Sequence, residues 1–158
     1  MAAAQMAVEK PILIQELIEL SGDAKVVYQQ RASQALSFSV EYLGFQLSKK
    51  QIDDVCVLLS KKNLHPAVAR NGLKILELQE IPKAQEGFLV DYCFNCIMNP
   101  QIPIAIRAFA MPVLYKIALS YPELKQEFKL VLEGLSDNES PGIQSRKRKY
   151  LRLLNDNG

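Results

Sequence analysis

The chain of 158 residues contains no Trp and no Thr, one His and three Cys. Each scarcity closes a class of function. The solitary His65 has no Ser, Cys or Asp at motif spacing, so no nucleophile triad can form around it. Zinc takes about four ligands. Beyond the single C-x-x-C of Cys93 and Cys96, the sequence offers a metal only Cys56 and His65. A thioredoxin-like role for "DYCFNCIMN" would want a strand before the motif and a sheet around it, and neither is indicated. The two cysteines share one helical face beside Leu89 and Tyr92 and read as small buried apolar residues. No phosphate loop, HExxH or GxGxxG occurs. The expectation is a non-enzyme, with no catalytic residue, no metal and no cofactor.

No run of about 18 uninterrupted apolar residues exists, so no membrane span is expected. The most apolar stretch, residues 102–119, carries Arg107, Pro112 and Lys116. The opening "MAAAQMAVEK" lacks the basic start and apolar centre of a secretory signal. An odd cysteine count without such a signal leads to an expectation of reduced thiols and a cytoplasmic location. A net charge of +2 is too small to demand a polyanionic partner. What is plentiful is Leu, Ala, Glu, Lys and Gln, a balance that favours helix over strand.

Helical periodicity recurs along the chain. Ile52, Val55, Cys56 and Leu59 follow i, i+3, i+4, i+7, and Leu124, Phe128, Val131, Leu132 and Leu135 continue the same kind of row. No period-2 pattern persists. "SKKQ" at 48–51 is a capping box, in which Ser48 accepts from the Gln51 amide and Gln51 reaches back. Turn residues in "SGD", "KKNLHP", "EIPKAQEG", "NPQIP", "SYPE" and "LSDNESPG" mark the other boundaries. About eight helices follow, with links too short for a domain boundary.

Arg31, Arg70, Arg107 and Arg146 stand 39, 37 and 39 residues apart. Each follows an Asx residue by seven or eight positions: Asp23, Asn63, Asn99 and Asn138. An apolar helical run follows each arginine, and an amphipathic helix precedes each Asx. The repeating unit is therefore one helix pair of about 40 residues. The pattern resembles the HEAT-repeat and armadillo families over about residues 11–154. The expected fold is all-α, a right-handed α-α superhelix of about four helix pairs in one domain. Its repeats fall at about 11–47, 48–82, 83–121 and 122–154. The resemblance implies a structural ladder of the four arginines between stacked pairs. It also implies a non-enzymatic scaffold or adaptor that binds another macromolecule, first of all a protein, along the face of the second helices.

Two features stand apart. Pro112 falls inside the apolar run after Arg107, where a proline costs an isolated helix about 3 kcal/mol, and reads as a kink tolerated by packing. "SRKRKYLRLL" at 145–154 places Arg146, Lys147, Arg148, Lys149 and Arg152 within seven residues. This run reads first as the solvated face of a last helix. Its alternative reading is a nucleic-acid-binding module. Helical DNA glycosylases that act on alkylated purines resemble stacked HEAT-like pairs, but they rely on a Trp-lined cleft, and this chain has no Trp.

Overall fold

The computed structural model describes residues 2–156, which form helices joined by turns, with no strand among the described residues. The elements are α1 (Ala2–Glu9), α2 (Ile12–Ser21), α3 (Val26–Glu41), α4 (Lys49–Ser60), α5 (Pro66–Glu77), α6 (Lys83–Met98), α7 (Ile104–Ala118), α8 (Pro122–Glu133) and α9 (Pro141–Asp156). From α2 onward they come as consecutive pairs. Each Asx residue singled out above lies in the turn within a pair. The Asp23 carboxylate accepts from the Lys25 amide at 2.8 Å, and Asn99 Oδ1 accepts from the Gln101 amide at 2.9 Å. Asn63 takes a left-handed φ of 60°, and the Asn138 amide donates to Ser136 Oγ at 3.1 Å. The Ser48–Gln51 capping box forms, with bonds of 3.1 and 3.0 Å.

Helix α1 lies outside the core expected to start near residue 11. It is short and rich in alanine, and it buries only Ala4 and Ala7. Ser39 Oγ in α3 donates to the Ala4 carbonyl at 3.4 Å.

The chain divides into two compact units, residues 1–85 and 86–158. In the first, Ile14, Ile18, Leu36, Val55, Leu59, Leu73 and Leu76 form the core. Gly72 lets α5 approach α4 closely, since a Cβ there would stand 3.1 Å from Leu59 Cδ2. Buried polar side chains join α3 to α5: Asn71 Nδ2 donates to Ser33 Oγ at 3.1 Å. Farther along, the buried Gln79 accepts from the Leu47 amide at 2.8 Å and donates to the Phe45 carbonyl at 3.3 Å. That bracing holds the extended segment after Gly44, whose φ is +67°.

In the second unit, Phe128 of α8 is fully buried and meets Phe94 of α6 edge-on at 6.4 Å. Its other neighbour is Tyr150 of α9 at 6.1 Å, which itself meets Tyr115 of α7 at 5.5 Å. One ring from each helix thus enters the core, alongside Leu89, Ile97, Met111, Leu114, Leu132 and Ile143. Helix α7 continues unbroken through the buried Pro112.

Candidate functional site

In three of the four second helices the fourth residue has a polar role, Gln29 in α3, Arg107 in α7 and Gln144 in α9, while α5 has the buried Ala69 there. Gln29 Nε2 donates to the Asp23 carbonyl at 2.7 Å, and its Oε1 accepts from the His65 amide of the following pair at 3.0 Å. Arg107 does the same on a larger scale. Nε and Nη2 donate to the Ile97 carbonyl at 3.2 and 2.9 Å, and Nη1 and Nη2 donate to the Glu139 carboxylate of the following pair at 2.8 and 2.7 Å. Gln144 Nε2 reaches back to the Ser136 and Asp137 carbonyls at 3.1 and 3.0 Å. Long side chains with several hydrogen-bonding atoms suit this place, because turn carbonyls beneath a helix start have no intrahelical partner.

The ladder expected of four arginines is therefore corrected. Arg107 is buried, with 2 % exposure, but Arg31 and Arg70 are exposed and make no ion pair among the described residues. Arg146 is half-buried with its guanidinium 5.7 Å from the Phe109 ring centre, a cation–π contact rather than a bond to a turn. Counting the fourth position from the helix starts would have found Gln29 and Gln144; matching arginines alone could not.

The rest of the basic run divides by face. Lys147 is half-buried and donates to the Leu135 carbonyl at 3.2 Å. Arg148, Lys149 and Arg152 are exposed, Lys149 lying 5.4 Å from the Tyr150 ring centre.

A more mixed surface lies on α3 and α5. Two cross-helix bonds mark where the helices meet. Lys74 bonds Glu41 at 2.8 Å, and His65 Nε2 lies 2.9 Å from the terminal amide of Gln30. His65 caps α5, its Nδ1 accepting from the Ala67 amide at 3.1 Å. In register between those bonds come Gln34 and Arg70, both exposed, with Arg31 one step outward. Phe38 and Tyr42 stack at 4.7 Å on the same side of α3, and Tyr42 is 66 % exposed. Leu78 at the end of α5 is exposed as well. The half-buried Phe38 with the exposed Tyr42, two guanidinium groups without an ion pair among the described residues and an aliphatic end thus lie on α3 and α5.

The cysteines are buried thiols. Burial pushes Cys56 up to about 12 and Cys96 to about 11, the latter partly offset by a hydrogen bond with Tyr92. Desolvation likewise raises the Tyr92 hydroxyl. These groups are held away from the ionised forms that nucleophiles or metal ligands need. No group of three or more His, Cys, Asp or Glu side chains is placed to hold a metal among the described residues. No helix among them is long and apolar enough to cross a membrane.

No curated protein and no solved structure matches the chain. A family model for the HEAT repeat domain matches residues 3–154, from within α1 to within α9. Because that match takes in the successive helix pairs and the turns between them, the chain belongs to the HEAT repeat domain family.

Proposed function

We propose that the protein is a non-enzymatic scaffold or adaptor, and that the α3–α5 face binds a protein segment carrying at least one carboxylate. The observation that carries this reading is the pair Arg31 and Arg70, exposed and free of ion pairs among the described residues, beside the stacked Phe38 and Tyr42. Arginine and aromatic side chains dominate the energetic centres of protein interfaces, the aromatics supplying area and the guanidinium a bidentate grip on a carboxylate. Membership of a family of helical-repeat modules, generally non-catalytic, supports the same reading.

The test compares capture of partners from native lysate by the wild type and by Arg31→Ala/Arg70→Ala/Tyr42→Ala. All three positions are exposed, so the variant keeps its helical circular dichroism. A stoichiometric protein retained by the wild type and lost with the variant is the expected result. No partner under several conditions, or an unchanged partner set with the variant, overturns the assignment.

A further inference from the structure

We propose that the outer face of α9 is a docking surface for the phosphate backbone of duplex nucleic acid, separate from the α3–α5 face. From 145 to 155 the exposed positions are Ser145, Arg148, Lys149, Arg152 and Asn155. Their spacing of i, i+3, i+4, i+7 and i+10 puts them in one stripe along the helix. The first four offer hydrogen-bond donors, Asn155 adds an amide, and the one carboxylate of α9, the exposed Asp156, stands at its end, one turn beyond Arg152. Arg148, Lys149 and Arg152 form no ion pair among the described residues. By contrast, Lys50 and Lys74 of the first unit are paired with Asp54 and Glu41.

The stripe is also rigidly backed. Ile143, Tyr150 and Leu154 on the opposite side are buried, Arg146 stacks near Phe109, and Lys147 is tied to the Leu135 carbonyl. Arg148, Lys149 and Arg152 are the three of the five cations that stay exposed, Lys149 resting 5.4 Å from the Tyr150 ring centre, and they are held by a fixed helix rather than a loose tail. Arg148 and Arg152 are one turn apart, a rise of about 6 Å. That spacing lets both guanidinium groups serve neighbouring phosphates of one strand.

Composition decides between a polyanionic nucleic acid and an acidic protein. None of the exposed stripe positions is aromatic or aliphatic, whereas the centre of a protein interface needs such anchors. Backbone docking on nucleic acid needs only charge and donors, and carries no sequence preference.

The experiment titrates the full chain into a fluorescent random-sequence duplex, with a poly-glutamate peptide as the competing probe. Three neutralised phosphates give a salt slope of about −2.7, so a fourfold rise in salt weakens binding about 40-fold. Arg148→Gln/Lys149→Gln/Arg152→Gln keeps helix-forming side chains and is checked for folding by its thermal melt. This variant is expected to lose both the binding and its salt dependence, while Arg31→Ala/Arg70→Ala leaves duplex binding unchanged. The assignment is overturned by absence of duplex binding at low salt, by a triple variant that binds like the wild type, or by tighter binding of poly-glutamate than of duplex. A folded triple variant that alone loses binding establishes it.

Discussion

Arg107 and Glu139, 32 residues apart, are joined by two parallel hydrogen bonds of 2.8 and 2.7 Å, so the second helix of one pair grips the turn of the next. The same guanidinium also holds the Ile97 carbonyl, at the end of the first helix of its own pair. A charge in the middle of an apolar helix is thereby explained. Four hydrogen bonds satisfy the buried group, and its aliphatic stem packs within the core.

Removing that arginine leaves the Ile97 carbonyl and the Glu139 carboxylate without their shared donor in a largely dry setting. Arg107→Met, which keeps the stem but not the charge, is expected to destabilise the second unit by about 3 kcal/mol or more. Glu139→Gln keeps one acceptor for the guanidinium and is expected to lose less. Urea denaturation of the two variants measures the difference, and equal losses would show that the carboxylate, not the carbonyl, carries the contact.

Acid acts on the same pair. The hydrogen bonds from Arg107, aided by its charge, hold the Glu139 carboxyl below its ordinary value of 4.5 and outweigh the opposing desolvation. The folded state therefore binds this proton less readily than the unfolded chain. Its stabilising contribution is complete above the ordinary value and is lost as pH falls through the lowered one. Protonated Glu139 resembles glutamine, so the stability gap between wild type and Glu139→Gln should hold near neutrality and close below about pH 4.5. Paired denaturation curves across that range read it directly, and a gap that widens in acid would contradict the pairing.

The paired helices were legible in the sequence because apolar rows at helical spacing and Asx or proline turns point to the same boundaries. Asp23, Asn63, Asn99 and Asn138 do lie in the turns within the pairs. Helix α1 was not legible: eight residues with two buried alanines give no periodic row. The arginine register found a true period but mixed two faces of the helix. Arg31 and Arg146 stand two positions beyond the fourth residue, a rotation of about 200° that carries a side chain away from the turn. Arginine serves equally in a buried clamp and on a wet surface, so its identity could not separate the two. The α3–α5 face was hidden for a related reason, since Phe38 and Tyr42 could as well have been core until burial was known.

The cysteines give a chemical readout of packing. With Cys56 pushed up to about 12 and Cys96 to about 11 by burial, the thiolate fraction near pH 8 is very small. Native protein should react with a thiol reagent only as fast as it opens, whereas three thiols should react at once in denaturant. Rapid labelling of the folded chain would mean that the face of α4 bearing Cys56 or the face of α6 bearing Cys93 and Cys96 is accessible.

Pro112 tests how far packing governs α7. Alanine would restore a backbone donor and raise helix propensity, but it would also remove buried ring atoms. These effects oppose one another, so Pro112→Ala is expected to stay folded with an unchanged helical spectrum and a modest shift in melting temperature. Global unfolding on this change would mean that the ring itself is indispensable to the packing around it.

Two substitutions in the first unit separate the fourth-position rule from the arginine register. Gln29→Leu keeps a similar volume but leaves the His65 amide and the Asp23 carbonyl without their partner, in a place only 8 % exposed. An unsatisfied buried group costs about 1–3 kcal/mol, so a loss in that range is expected. Arg31→Ala removes an exposed side chain with no ion pair among the described residues and should change stability by no more than about 0.5 kcal/mol. If the ranking is reversed in chemical denaturation, the arginine is the strut between these pairs and the glutamine is incidental.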